Sequence, residues 1–398
     1  MKRKIDVYFA TCPRGLEGVL AAELHALGAR ETTTVPGGVG FAGEPRVCYR
    51  ANLESRVASR VLMQLSRVPY RNEQDVYAAA YAVPWQDWFD VTRSIRVEVT
   101  AIRSPLRSLD YITLKLKDAV CDRFRAETGG RPDVDTRNPD VRVHAFLDRS
   151  DVTLYLDSSG EPLYKRGYRR DAGEAPLREN LAAGIVKLTR WSGSEPLFDP
   201  MCGSGTILVE AAMMALDIAP GAQRRFGFEL LAHFDAATWG EVREAARARQ
   251  KTPRAIALYG SDANGRELVR ARENIAAAGL QDAVSLAQSN VLEVSAPAPT
   301  GVLVTNPPYG VRQDDSASLA AFYPKLGDAL KSRFAGWRCY LLSADPLLPK
   351  LIHLRATKRT PLFNGALECR LYEYLMVAGE MQKHRPSPFG SALCGGDG

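Results

Sequence analysis

The stretch PLFDPMCGSGTILVE, residues 196–210, decides the fold of this chain. Its first residues predict a short buried strand, its glycines mark a tight turn, and the apolar run that follows predicts a helix. Gly203 and Gly205 can adopt positive φ and let a ligand approach the backbone at the helix N-terminus. A strand, a glycine turn and a helix in this order are typical of a doubly wound α/β domain.

Two details of this turn indicate its ligand. A dinucleotide fingerprint needs a third glycine, and Leu208 occupies that position. Asp199 lies at the strand end, and an acidic residue suits a ligand with a positive amino group better than a pyrophosphate. The alternative is a turn that serves only tight strand–helix packing. Cys202, inside the turn, is interpreted as a small packing residue and not as a nucleophile.

A second informative stretch is GVLVTNPPYG, residues 301–310, where an apolar strand runs into two prolines. The prolines remove two backbone donors and keep the chain extended. The Asn306 side chain and the Pro307 carbonyl are then available to accept hydrogen bonds, and Tyr309 offers a face for stacking. This combination predicts binding of an exocyclic amine on an aromatic ring. The alternative is a proline-rich turn in which Tyr309 only packs.

Two more strands are predicted to end in polar residues. The stretch AIALYGSD, residues 255–262, ends in Asp262, which suits either ribose hydroxyls or the N-cap of the next helix. A third strand leads to Asn290. Together with Asp199 and Asn306, these residues are expected to line the carboxyl edge of one open sheet, where such folds bind ligands.

The order D-P-x-C-G-S-G-T, G-S-D and N-P-P-Y-G resembles class I S-adenosylmethionine-dependent methyltransferases that modify exocyclic amino groups. The segments KRGYR (165–169) and EAPLREN (174–180) are similar to those of THUMP-containing guanine-N2 methyltransferases of 23S rRNA, the RlmL type. The similarity runs from residue 9 to residue 369. Some members carry a second, C-terminal methyltransferase domain, which this sequence does not include.

The resemblance implies an α/β fold: a Rossmann-like class I methyltransferase domain with a seven-stranded sheet, preceded by α+β ferredoxin-like and THUMP modules. The expected domains are a ferredoxin-like domain (1–65), a THUMP domain (66–158), a linker (159–180), the methyltransferase domain (181–380) and a flexible tail (381–398).

For the active site, the resemblance implies S-adenosylmethionine as cofactor and methyl transfer to guanine N2. The expected catalytic residues are Asn306, Pro307 and Tyr309. The expected cofactor-binding residues are Asp199, Gly203, Gly205, Asp262, Asn290 and Asn306. Related enzymes usually have aspartate where this chain has Asn290, although an amide oxygen can also accept a hydrogen bond from the adenine amino group.

THUMP modules bind structured RNA, so the resemblance also implies an RNA partner. Arginine and lysine would contact phosphates and fix position without reading sequence. The expected RNA-binding residues are Arg103, Arg107, Lys115, Lys117, Lys165, Arg166 and Arg169. The last three belong to a segment of basic residues and tyrosines, which suits either RNA contact or a linker whose arginines pair with acidic residues.

Composition agrees with an enzyme of this kind. The 398 residues carry a net charge of +6, and most of the excess lies in residues 1–170. The sequence has neither an apolar run of transmembrane length nor a signal-peptide core after its basic start. Seven cysteines without paired C-x-x-C spacing suit free thiols in the cytoplasm better than disulfides or a metal site.

Four other functions remain as alternatives. A tRNA guanine-N2 methyltransferase shares THUMP and N-P-P-Y. A methyltransferase acting on DNA adenine or cytosine, or on protein glutamine, is disfavoured by the basic N-terminal half. A non-catalytic RNA-binding factor is disfavoured by the intact motifs, and a dehydrogenase by the missing third glycine.

Overall fold

The computed structural model describes residues 5–169, 177–252, 255–308 and 316–377. These residues form two compact units, each assembled from separate parts of the chain. The first unit comprises Met1–Cys12, Leu20–Leu163 and Gly221–Ala246. The second comprises Pro13–Val19, Tyr164–Pro220 and Arg247–Gly398.

The elements follow one another along the chain in two series. The first series is β1 (Asp6–Thr11), α1 (Glu17–Ala26), β2 (Arg30–Val35), β3 (Gly38–Gly43), α2 (Pro45–Glu54), β4 (Arg60–Pro69), α3 (Glu73–Tyr81), β5 (Ile95–Ala101), α4 (Leu109–Thr128), β6 (Val141–Leu147) and β7 (Asp151–Asp157). The second series is α5 (Glu179–Leu188), β8 (Leu197–Asp199), α6 (Thr206–Ala215), α7 (Ala236–Arg249), β9 (Leu258–Asp262), α8 (Gly265–Ala277), β10 (Ser285–Gln288), β11 (Gly301–Thr305), α9 (Ser316–Arg333), β12 (Trp337–Ser343), α10 (Leu348–Leu351), β13 (Lys358–Asn364) and β14 (Leu367–Leu375).

The first unit is built on one sheet of seven strands in the order β2-β3-β1-β4-β7-β6-β5. The first four strands, with α1 and α2, follow the βαββαβ order of a ferredoxin-like module. Strand β4 pairs with β1 on one side and with β7 on the other, so the sheet continues without a break. The boundary expected at residue 65 therefore falls inside a strand that both N-terminal modules share.

Residues Gly221–Ala246 complete the first unit although they lie far along the sequence. The Phe228 ring packs 4.5 Å from Tyr49 and 5.0 Å from Trp239, measured between ring centroids. The backbone N–H of Gly221 also donates to the Leu53 carbonyl over 2.9 Å. An aromatic cluster therefore fixes this segment onto helix α2.

The second unit contains the other seven-stranded sheet, in the order β10-β9-β8-β11-β12-β14-β13. Strands β8 to β12 pair in parallel, and β14 runs antiparallel to both of its neighbours. The strand order reverses between β8 and β11, which makes their carboxyl ends the switch point where open α/β sheets bind ligands. Within the described residues, none of the helices has the length and apolar character of a transmembrane span.

Gly301, the first residue of β11, sits where no side chain fits. A Cβ there would lie 2.7 Å from the Pro196 carbonyl oxygen and 2.7 Å from the Trp337 ring. We expect Gly301→Ala to lower the free energy of unfolding by about 1–3 kcal/mol, because the backbone and a buried ring must shift. Urea denaturation would measure this change.

The matched control is Gly18→Ala in α1, where a Cβ would meet no atom within 4 Å. Alanine is favoured over glycine in helices by about 0.5–1 kcal/mol. This control variant is therefore expected to match the wild type or exceed it in stability. A Gly301→Ala protein as stable as the wild type would contradict the tight packing at the start of β11.

Candidate active site

The predicted site residues of the second unit's sheet meet at one edge. Asp199 pairs in register with Gly260 on the neighbouring strand β9, and Asp262 with Gln288 on β10. On the other side of β8, Leu303 of β11 lies beside Phe198, so Asn306 follows the same edge three residues later. The sheet thus brings the expected strand ends together.

The glycine turn between β8 and α6 has the backbone that its sequence predicts. Gly203 and Gly205 have φ of +50° and +79°. A Cβ at Gly203 would meet no atom within 4 Å, so this side of the turn is open space. Helix α6 starts directly after Gly205 and has no side-chain cap on its first N–H groups. The start of α6 therefore presents backbone N–H groups without a side-chain cap, beside a turn that leaves room for a ligand.

Asp262 holds the glycine turn against the next strand end. Its Oδ2 accepts a hydrogen bond from the Gly203 N–H over 2.9 Å, and its Oδ1 accepts from the Asn264 N–H over 2.8 Å. The N-cap of α8 is Asn264, whose side chain accepts from Arg266 N–H. A carboxylate has further lone pairs, so Asp262 can support the turn and still accept bonds from a ligand.

Asn306 presents an unsatisfied acceptor. Its side-chain Oδ1 is buried and finds no hydrogen-bond partner within the described residues. Leaving a buried polar group unpaired costs about 1–3 kcal/mol. Pro307, which follows, is buried and has no N–H to offer. This strand end is thus preorganised to accept hydrogen bonds from a donor that enters it.

Models of known protein families match the chain over most of its length. The UPF0020 model, an RMKL-like methyltransferase domain, matches residues 166–373. The chain belongs to this family. A THUMP domain matches residues 70–157 and an RlmL ferredoxin-like domain matches residues 7–62. The expected family and the expected fold class are therefore confirmed.

Individual relatives agree on methyl transfer and differ in the substrate that they are named for. The ribosomal RNA large subunit methyltransferase K/L of Aeromonas hydrophila is 42% identical over 97% of this chain, which spans 57% of that relative's length. The structure of SMU.472 complexed with SAH is 29% identical, with a TM-score of 0.86 over 96% of this chain and all of the other. A predicted N6-adenine-specific DNA methylase from Listeria monocytogenes is 30% identical, with a TM-score of 0.84 over 94% of this chain and 97% of the other.

Two other predicted site residues, Asn290 and Tyr309, are not placed in the site by the structure. Asn290 is exposed, and its Oδ1 accepts a hydrogen bond from the Leu292 N–H over 3.0 Å, so it already stabilises a turn. Tyr309 lies outside the described residues.

Four of the expected RNA-binding residues lie in or just before α4. Arg103 and Arg107 are exposed. The Lys115 ammonium lies 5.6 Å from the centre of the Tyr111 ring, and Lys117 pairs with Asp118 over 2.7 Å. These placements leave phosphate contact by Arg103 and Arg107 open as a proposal.

The basic segment 165–169 is largely internal. Lys165 is exposed, whereas Arg166 is 4% exposed and lies 3.3 Å from a Glu210 carboxylate oxygen. Arg169 pairs with Glu179 over 2.8 Å. Because both guanidinium groups are already paired with carboxylates of the fold, we withdraw Arg166 and Arg169 from the RNA-binding set. The sequence offers this arrangement as its alternative, a linker whose arginines pair with acidic residues, but it does not identify the acidic partners.

The thiol in the glycine turn is not set up for nucleophilic chemistry. Burial raises the pKa of Cys202 well above its ordinary value, so the thiol stays neutral. Among the described residues, no cluster of three or more His, Cys, Asp or Glu side chains could hold a metal ion.

Asp199 is the buried carboxyl group of the site, with 1% of its surface exposed. Burial raises its pKa to about 7, and the nearby charge of Asp262 adds to the shift. Because the folded state binds this proton more tightly, Asp199 contributes stability that is fully present below about pH 4. That contribution is lost as pH rises through 7.

Asp199→Asn removes the titrating group and keeps its shape. Between pH 4 and 7, we expect the free energy of unfolding of this variant to rise relative to that of the wild type by about 1.4 kcal/mol per pH unit. Urea denaturation across that range measures the difference. A constant difference between the two proteins would show that Asp199 has an ordinary pKa.

Proposed function

We propose that this chain transfers a methyl group from S-adenosylmethionine to the exocyclic N2 of a guanine in 23S rRNA. The observation that carries the proposal is the Oδ1 of Asn306 at the switch point of the sheet, which is buried and has no hydrogen-bond partner in the part of the chain that the structure describes. An acceptor in that position suits an amino group that must be held while it reacts.

The residues around the glycine turn fit S-adenosylmethionine. Gly203 leaves open space beside the backbone, and the uncapped start of α6 offers N–H donors. Asp199, Gly203 and Gly205 would hold the methionine portion, Asp262 the ribose hydroxyls, and Asn290 the adenine amino group. The structure of SMU.472, which shares this fold, contains SAH, the product of such a donor. When bound, S-adenosylmethionine supplies an electrophilic methyl group on a sulfonium sulfur.

Guanine N2 is a poor nucleophile because its lone pair is delocalised into the ring. Asn306 Oδ1 and the Pro307 carbonyl accept hydrogen bonds from its two N–H groups. These hydrogen bonds favour tetrahedral geometry at nitrogen and orient the lone pair. Asn306 is neutral and removes no proton beforehand, since the N–H becomes acidic only as positive charge develops. As the N–C bond forms, the C–S bond of the sulfonium would break and release S-adenosylhomocysteine, and the proton on N2 would then pass to water. Orientation and electrostatic stabilisation by these oxygens therefore supply most of the acceleration.

Tyr309 follows the two prolines directly in sequence. We assign it the stacking face that holds the base once it has left its helix, as enzymes that modify a paired base require.

The RNA substrate is supported by the N-terminal unit. It contains the THUMP match, and Arg103 and Arg107 are exposed beside α4 for phosphate contact. The Aeromonas hydrophila relative is named for large-subunit rRNA, which makes 23S rRNA the first substrate to test. A guanine of tRNA is the alternative within the same chemistry.

The experiment is methylation in vitro with isotopically labelled S-adenosylmethionine, followed by nucleoside mass spectrometry. Unmodified 23S rRNA, unmodified tRNA and double-stranded DNA serve as parallel substrates. Label in N2-methylguanosine from 23S rRNA alone is the expected result. Label in tRNA would replace the substrate, label in N6-methyladenine would replace the base, and no label in any of them would refute methyl transfer.

A further inference from the structure

A cavity of about 260 Å³ lies within the first unit, between β1, α2 and the segment Gly221–Ala246. Five of the side chains that line it are aromatic: Tyr8, Tyr49, Trp88, Phe228 and Phe234. A cavity of about 150 Å³ is large enough to bind a benzene ring. This cavity therefore has room for a ligand with two fused rings.

The rings around the cavity are held in place by packing. Phe228 lies 4.5 Å from Tyr49 and 6.0 Å from Phe234, measured between ring centroids. Trp88 meets the His233 ring edge to face at 5.3 Å, and His233 is exposed, so this side of the cavity faces solvent. Rings that are already fixed offer stacking contacts to a flat ligand at little cost in side-chain entropy.

Asp6 supplies a carboxylate to the wall of this cavity. It is half-buried, and its Oδ2 accepts a long hydrogen bond from the Tyr8 hydroxyl over 3.5 Å. Burial raises the pKa of Cys48 to about 12 and that of Tyr8 well above its ordinary value, and the charge of Asp6 adds to both shifts. Both groups therefore stay neutral. A carboxylate has about four acceptor sites, so Asp6 can also accept hydrogen bonds from N–H groups of a ligand.

An aromatic wall beside a carboxylate suits guanine among the RNA bases. Proteins bind unpaired bases by stacking on aromatic rings and by hydrogen bonds along the Watson–Crick edge. Guanine has N1–H and N2–H donors side by side on that edge, and these match the two oxygens of a carboxylate. Adenine, cytosine and uracil each place an acceptor next to their donor, so the carboxylate would repel one of the two groups.

We propose that this cavity binds an unpaired guanine of the RNA substrate, stacked on the aromatic rings and hydrogen-bonded to Asp6. The inference rests on the proposed function for its RNA, whose THUMP match lies in the same unit. The guanine held here is an anchor, whereas methylation belongs to the Asn306 site. Phosphate contacts position RNA without reading its sequence, so this cavity would add a contact that depends on the base.

Fluorescence anisotropy with two labelled pentaribonucleotides tests the assignment. Both have uridines around a central base, which is guanine in one and adenine in the other. We expect the wild type to bind the guanine oligonucleotide about tenfold more tightly, the size of one charge-assisted hydrogen bond. Asp6→Asn replaces one acceptor by a donor, and its preference should fall to within about twofold. The matched control is Asp282→Asn, an exposed aspartate of the second unit, which should keep the wild-type preference.

Phe234→Leu tests the stacking and covers the case in which Asp6→Asn fails to fold, which a melting curve would reveal. Leucine keeps the apolar volume and loses the flat face. Because stacking on an aromatic ring tolerates any base and contributes about 1–3 kcal/mol, we expect both oligonucleotides to bind about fivefold more weakly or worse, with the preference unchanged. Wild-type affinity in Phe234→Leu would overturn the assignment.

Asn306→Ala separates this cavity from the site of methyl transfer, and it should keep the preference for guanine. A preference that is lost in Asn306→Ala and kept in Asp6→Asn would overturn this inference and support the proposed function. Binding of tetramethylammonium that Phe234→Leu weakens, without binding of either oligonucleotide, would make the cavity a cation site and overturn the inference too. An Asp6-dependent preference in a protein that methylates no substrate would refute the proposed function alone.

Discussion

Asn306→Ala is expected to lower the turnover of methyl transfer by about a hundredfold or more, the cost of losing one positioned polar group. Affinity for S-adenosylhomocysteine should change by less than about twofold. The reason lies in the unpaired Oδ1 at the end of β11. Without that oxygen, the amine loses an acceptor that orients its lone pair, while the glycine turn stays intact.

Single-turnover kinetics with RNA and calorimetry with S-adenosylhomocysteine measure the two quantities separately. Asn306→Asp, which keeps an oxygen at the same place, is the matched variant and should retain more activity than the alanine variant. Wild-type turnover in Asn306→Ala would remove this residue from the mechanism.

The second large effect is expected for Asp262→Ala, as a loss of cofactor affinity. Its carboxylate accepts from Gly203 N–H and Asn264 N–H, and we assign its remaining lone pairs to the ribose hydroxyls. Loss of a charge-assisted hydrogen bond costs about 2 kcal/mol, so the dissociation constant should rise about thirtyfold. Release of the glycine turn would add to that loss.

Calorimetry at a temperature where melting curves show every variant to be fully folded separates these two contributions. Asp262→Asn has nearly the same shape and keeps one acceptor oxygen, so it should preserve the turn better than alanine does. We expect its affinity to lie between those of the wild type and Asp262→Ala. An Asp262→Ala variant that binds S-adenosylhomocysteine as tightly as the wild type would place the ribose elsewhere.

The sequence predicts the glycine turn and the strand ends around it well because the relevant signals are local. A glycine turn between a strand and a helix requires particular backbone angles, and Gly203 and Gly205 have them. The end of a parallel strand fixes where the next residue lies, so Asp199, Asp262 and Asn306 fall on one edge. Each of these inferences needs only a few neighbouring residues.

Basic residues show the limit of such reasoning. The run of arginines and tyrosines around residue 166 has the composition of an RNA-binding strand, yet Arg166 and Arg169 are paired inside the fold. Their partners Glu179 and Glu210 lie 10 and 44 residues further along. No local pattern marks an acidic residue as the partner of a distant arginine, so burial here follows only from the tertiary fold.

The sequence also does not predict that Gly221–Ala246 belongs to the first unit. Phe226, Phe228 and Trp239 look like the core residues of any nearby helix or turn. Phe228 and Trp239 pack instead against Tyr49, on a helix almost two hundred residues earlier, and Phe226 packs against Trp239. Apolar residues predict burial without naming the surface that covers them.

Because each unit contains segments from distant parts of the chain, the protein is difficult to divide into its two units. A polypeptide that begins at residue 164 carries Gly221–Ala246 without the rest of the unit to which it belongs, and it lacks Pro13–Val19 of its own unit. Gly184 would then lose its contact with the Leu16 side chain. Activity is therefore best assayed on the uncut polypeptide, and if the halves are made separately, co-expression offers a better route to native material than isolation of either half.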